Sequence, residues 1–190
     1  MATPTPWLRL RAFARKSCGA APKLAGNSRG AATVEFALIF GILVVVMLNG
    51  TEIARWYNSK MELDNATEMA VQAVTTTCDS THLPATTACP TYNTVISTAL
   101  ASTTLGSLVV QTGGSPADSY YCLNASGQLV FLSSIATAQT TCTAAGNANL
   151  VPSEYVTIQA SYSYTPIFSA VTIGSLLPSS LKSFAMVRLK

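Results

Sequence analysis

The sequence predicts an α+β protein: a long N-terminal transmembrane helix followed by a small antiparallel β-sheet domain with disulfides. Three observations predict it. Ala31 to Leu48 reads AATVEFALIFGILVVVML, an apolar run interrupted only by Glu35. From Tyr155 to Tyr164, the residues Val156, Ile158, Ala160, Tyr162 and Tyr164 alternate with Thr157, Gln159, Ser161 and Ser163, as the period of a half-buried strand requires. Cys78, Cys89, Cys122 and Cys142 form an even set, suited to an oxidising compartment.

Composition sets the limits within which these elements fit. The chain has 190 residues, enough for one ordinary domain and a membrane segment. Only 10% of residues are charged, whereas about a quarter are charged in typical soluble domains. With 49% of residues apolar, the chain is not of the disordered class. The formal net charge of +3 hides a division. Residues 1–34 hold Arg9, Arg11, Arg15, Lys16, Lys23 and Arg29 and no acid, leaving five basic residues against all eight acids from residue 35 onward. No Lys or Arg lies between Lys60 and Lys182, so this stretch lacks the cations that phosphate binding needs, and nucleic acid is excluded as a partner.

Residues 1–30 read as an unstructured basic leader. The apolar run that follows gives roughly 27 Å of helix, close to the ~30 Å hydrocarbon core of a bilayer. Its lipid-facing side chains are Phe36, Leu38, Ile39, Phe40, Ile42, Leu43, Val44, Val45, Val46, Met47 and Leu48. Length alone fits a signal-peptide core or a buried helix as well. The flanks add orientation. All the nearby basic charge precedes the run, which places the N-terminus in the cytoplasm and residues 50 onward outside. Trp56 and Tyr57 follow within about two turns and fit either an interfacial belt or the core of the next domain. A secretory signal is cut after its apolar core, yet Leu48-Asn49-Gly50-Thr51-Glu52 is a weak site. The small residues, Gly30-Ala31-Ala32, lie before the core instead.

Arg29-Gly30-Ala31-Ala32-Thr33-Val34-Glu35-Phe36 resembles the processing motif of type IV prepilin-like proteins, specifically the TadE-like pseudopilins of the tight-adherence (Flp) pilus system. The resemblance implies a pilin-like fold and cleavage by a prepilin peptidase between Gly30 and Ala31, making Glu35 and Phe36 the fifth and sixth residues of the mature chain. Gly30, without a Cβ, lets a protease hold the backbone in extended form. The new α-amine is positive near neutral pH; in the pilin pattern it pairs with the fifth-residue Glu of a neighbour. A Glu35 that snorkels to the interface without a partner is the plainer alternative. Leu63, Ala66 and Ala70 are similar to a Leu/Ala pattern of the family, and Tyr162–Phe168 and Ala185–Arg188 to its closing strands. The implied partners are the prepilin peptidase, other pseudopilins or pilus-assembly proteins, and membrane lipid. The implied location is the bacterial inner membrane, single pass, with the C-terminal domain periplasmic.

Cysteine parity agrees with loss of a leader. The fifth cysteine, Cys18, lies in the basic segment, and its removal leaves the even set. Four cysteines permit three connectivities, of which the sequence-local one, Cys78–Cys89 with Cys122–Cys142, is the expectation. One helix is expected from Ala31 to about Thr75, supported beyond the membrane by composition more than by periodicity, and ended by Thr75-Thr76-Thr77. Residues 76–190 then make the outer domain. A short helix is expected over 93–102 and strands over 108–111, 119–123, 128–132, 155–164 and 182–189, with turns at Gly113-Gly114 and Asn124–Gly127.

Catalytic chemistry finds little support. His82 is the one histidine and no C-x-x-C is present, so no metal ligand set forms and no cofactor is expected. Nucleophile-elbow and phosphate-loop motifs are absent, and Asp79, Asp118 and Glu154 are too scattered along the chain to argue as an acid–base pair. No small-molecule substrate is implied. The expected function is therefore a minor pilin-like or pilus-assembly protein; the alternative is a signal-anchored periplasmic binding protein or enzyme unrelated to pili.

Overall fold

The computed structural model describes residues 28–78, 81–135, 137, 140–168 and 172–189, with side chains from Gly30 onward. The leader up to residue 27, with Cys18, and Asp79 lie outside the described residues. Helix α1 spans Ser28–Thr77, two residues beyond the expected stop. The threonines do not end it because their hydroxyls turn back onto the helix. Thr75 and Thr76 donate to the carbonyls of Gln72 and Ala73, at 2.7 and 3.0 Å.

The chain divides into two compact units at Val44/Val45. In the second, α1 buries a stripe of Leu63, Ala66, Thr67, Ala70, Val71 and Val74, spaced by three and four residues as one helix face requires. Tyr57, Met61 and Met69, the conspicuous residues of this stretch, are exposed. The buried face is instead made mainly of small and branched side chains, which let a helix lie close against a sheet. It shares one core with Val156, Ile158 and Ala160 of β4 (Ser153–Ser163) and Leu181 of β5 (Ser180–Arg188). Between helix and β5, the hydroxyls of Thr67 and Ser183 meet at 2.7 Å, which satisfies both inside the core.

The sheet is antiparallel throughout and built around β4. On one side β4 pairs with the whole of β5, from Tyr155↔Arg188 to Ser163↔Ser180. Its other side is divided between two strands. β1 (Val109–Gln111) pairs with residues 160–162, and β2 (Ala117–Leu123) pairs with residues 153–157. β3 (Leu129–Ser134) returns along β2 through the Asn124–Gly127 turn, where Asn124 Oδ1 accepts from the amides of Ser126 and Gln128. Gly127 closes that turn at φ +74°, a conformation few other residues adopt cheaply.

Two small helices complete the domain. α2 (Ala85–Ala88) has no signature in the sequence, whereas α3 (Tyr92–Leu100) matches the expected short helix and buries Tyr92, Ile96 and Leu100. Cys78 is bonded to Cys89 and Cys122 to Cys142, with Cα–Cα distances of 5.6 and 5.7 Å. The first bridge closes the end of α1 onto the residue after α2, and both cysteines are buried in the core. Replacing Cys78 and Cys89 together by Ser is expected to cost about 3 kcal/mol of stability. Thermal melts of oxidised wild type and double variant check this; coincident transitions would show that the bridge constrains nothing.

Candidate processing site and membrane segment

In the first unit α1 carries the residues that the sequence marks for processing. The large apolar side chains from Val34 to Met47, Val44 apart, are 46–74% exposed, including Phe36, Leu38, Ile39, Phe40, Ile42, Leu43, Val45 and Val46. Val44 and Leu48 are half-buried. One helix among the described residues, Gly30–Thr77, is long and apolar enough to cross a membrane, with mean hydropathy 2.5 in its most apolar window. A helix with large apolar side chains exposed on every face among the described residues suits an apolar medium.

Gly30 is the third residue of α1 and is exposed, and a side chain built on it would meet nothing within 4 Å. Its amide lies in the first turn, where backbone N–H groups have no intrahelical partner, so this turn opens at least cost. Ala31 follows directly, and Thr33 Oγ1 donates to the Gly30 carbonyl at 2.9 Å. Glu35 is exposed and makes no hydrogen bond or ion pair among the described residues. Phe36 stacks on Phe40 one turn later, ring centroids 5.8 Å apart.

Within the second unit, the first turns of α1 are held by a different device. Asn49, Glu52, Trp56 and Lys60 lie on one face of α1, each taking a backbone group from the segment between β4 and β5 or the start of β5. Asn49 Oδ1 accepts from the Ile173 amide at 2.8 Å. Trp56 Nε1 donates to the Pro178 carbonyl at 3.2 Å, and Lys60 Nζ to the Lys182 carbonyl at 2.8 Å. Trp56 thus packs on the domain core, while Tyr57 stays exposed, so the two neighbours have different roles.

Glu52 is the centre of this face and is fully buried. It accepts the Tyr164 hydroxyl at 2.5 Å and the amides of Ile167 and Phe168 at 3.3 and 3.4 Å. Arg55, nearly one turn on, lies 3.7 Å from the carboxylate and over the Tyr164 ring. The Tyr164 hydrogen bond is the main influence holding the Glu52 carboxyl below its ordinary value, with the two amides and Arg55 adding and burial opposing. Burial, followed by the bond to Glu52, pushes the Tyr164 phenol up to about 12. A Cβ on Gly174 would sit 2.8 Å from Pro166 Cβ and 3.2 Å from Glu52 Cγ, so the loop closes over the carboxylate only because that residue is glycine. The sequence shows Glu52 and Arg55 as a helical pair; the phenol that completes the cluster is 112 positions away.

A second buried polar group forms where the sequence shows only scattered acids. Asp118 on β2 and Glu154 on β4 both reach the start of α2. Glu154 Oε1 accepts from the Ala85 amide at 3.1 Å and Asp118 Oδ2 from the Thr86 amide at 2.6 Å. Asp118 Oδ1 also accepts the Tyr92 hydroxyl at 3.0 Å. Tyr92 is pushed up strongly, first by burial and then by the Asp118 and Glu154 carboxylates. These acids answer backbone donors that the small helix leaves unpaired. His82 is exposed, with Nδ1 3.1 Å from the Thr81 hydroxyl. No group of three metal-ligating side chains occurs among the described residues.

An uncovered apolar helix continuing into a disulfide-stapled α+β domain defines a class of protein: one helix long and apolar enough for a bilayer, and a small folded head. The family model described as TadE-like protein matches residues 30–72, a match consistent with a TadE-like protein of the tight-adherence (Flp) pilus system. The matched stretch begins at Gly30, lies wholly within α1, and takes in the buried residues Leu63, Ala66 and Ala70. No characterised protein and no solved structure matches the chain.

Proposed function

We propose that this chain is a minor pseudopilin or assembly factor of a tight-adherence pilus, cut by a prepilin peptidase between Gly30 and Ala31 and held in the bacterial inner membrane by α1. Its leader lies in the cytoplasm and its disulfide domain in the periplasm, where its partners are other pseudopilins or pilus-assembly proteins. The observation that carries this reading is the family match, which begins at the residue where the cut is proposed and runs along an uncovered apolar helix. Charge supports the orientation, because every basic residue before Arg55 precedes the apolar run.

Glu35 gives the cut a consequence. A carboxylate at mid-membrane costs roughly 2.5–3.5 kcal/mol, less near an edge. The α-amine released at Ala31 supplies a cation, opposite in sign to the carboxylate, on the same first turns of a neighbouring helix. Cleavage thus converts an unpaired acid into half of an intermolecular pair, which favours association of processed chains over unprocessed ones.

Intact mass of the protein purified from membranes tests the reading. Loss of residues 1–30, with Ala31 as N-terminus, is the expected result. Gly30→Leu is expected to leave more than nine-tenths of the chain uncut, since the new side chain blocks close approach to its backbone. An uncut wild-type chain, or one cut after Leu48, would falsify the proposal and favour a signal-anchored binding protein or enzyme.

A further inference from the structure

The edge of β5 away from β4 pairs with no other strand among the described residues. The direction of its backbone groups follows from the two hydrogen bonds that flank the β4–β5 ladder. The Tyr164 amide donates to the Ser179 carbonyl at 2.7 Å and the Leu189 amide to the Glu154 carbonyl at 2.9 Å. In an antiparallel pair, residues alternate between facing the neighbour and facing away. Both flanking bonds set the same phase, so Leu181, Ser183, Ala185 and Val187 turn their polar groups to β4. Lys182, Phe184, Met186 and Arg188 turn theirs to the open side. Lys60 Nζ takes the Lys182 carbonyl, while the backbone groups of Phe184 and Met186 have no further partner among the described residues.

The side chains of the same four residues lie on the face of the sheet away from the core. Phe184 is 60% exposed and Met186 37% exposed, between Lys182 and Arg188. Lys182 and Arg188 are the only cations beyond Lys60 among the described residues, and both lie on β5. Edge charges commonly serve to repel neighbours. Here, however, they bracket two exposed apolar residues, an arrangement that repels some strands and suits others. A second copy of β5 paired about Ala185 would set Lys182 against Arg188, two like charges directly opposed.

The geometry points to one occupant: an extended segment of another protein, apolar at two alternate positions and acidic at the positions flanking them, added as a further antiparallel strand along Lys182–Arg188. Main-chain bonds at Phe184 and Met186 would supply register, and the two cations would select the partner. The inference is independent of cleavage at Gly30.

The test uses the full chain in lipid nanodiscs and the capped peptide Glu-Thr-Val-Thr-Val-Thr-Glu, with a Lys-ended counterpart as control. The acidic peptide is expected to slow hydrogen exchange at the Phe184 and Met186 amides and to bind at least tenfold more tightly than the Lys-ended one. Met186→Pro, tolerated at an open edge because its amide points outward, is expected to abolish binding. The double reversal Lys182→Glu with Arg188→Glu is expected to invert the peptide preference, and it keeps the test open should the proline variant fail to fold. Equal binding of both peptides, or unchanged exchange at these amides up to millimolar peptide, overturns the proposal. So does protection of the same amides by concentrating the protein alone, which would make a second copy the occupant.

Discussion

Tyr164→Phe is expected to lower the stability of the domain by about 1.5–3 kcal/mol, because the hydroxyl it removes is bonded to an ionised group. Glu52→Leu is expected to do more damage. It leaves the Tyr164 hydroxyl and the amides of Ile167 and Phe168 without their acceptor, and buried donors without partners cost more than the bonds they once made. The pH dependence separates this cluster from ordinary packing. Glu52 is held below its ordinary value of 4.5, so its stabilisation is present above about that pH and is lost as the pH falls below it. Tyr164 is raised from 10.0 to about 12, so its contribution is complete below pH 10 and is lost as the pH climbs through 12. Melting temperature plotted against pH should therefore fall off at both ends. Glu52→Gln should flatten the acid limb and Tyr164→Phe the alkaline one. Parallel curves for wild type and both variants would show that this cluster does not titrate with folding.

The second large effect is expected at Asp118. Asp118→Ala strands the buried Tyr92 hydroxyl and the Thr86 amide, each worth about 1–3 kcal/mol when left unpaired. The loss should be local as well as global, since α2 rests on this carboxylate, on Glu154 and on the neighbouring disulfide. Hydrogen exchange at Ala85 and Thr86 should speed up more than at β4, whose amides lie in the central strand. Uniform acceleration across both would assign Asp118 to general packing and remove its role as the seat of α2. The exposed control His82→Ala is expected to change stability by less than about 0.5 kcal/mol.

Both clusters show where reading the chain alone runs out. Glu52 and Arg55 are visible as helical neighbours, and Tyr164 as the last inward position of an alternating strand, yet nothing in the chain relates them. Asp118 and Glu154 are separated by a hairpin and a disulfide loop, and only strand register sets them beside one small helix. Their ligands are backbone amides, which every residue possesses and which therefore leave no trace in sequence. The buried stripe of α1 was obscured for another reason. Its large residues, Tyr57, Met61 and Met69, face outward, and its inward positions 66, 67 and 70 are small.

Local patterns, by contrast, carried the architecture. The apolar run with its basic flank, the alternation along residues 155–164 and the short helix near residue 93 each follow from interactions within a few residues, so each is written where it acts. The order of the sheet, with β4 shared by three neighbours, was decided by which apolar faces could be buried together. So was the open edge at Phe184 and Met186: an edge exists only when the partners of every other strand are settled. Periodicity and charge act along the chain and can be read from it. Pairing and desolvation act across space, and only the folded domain fixed them.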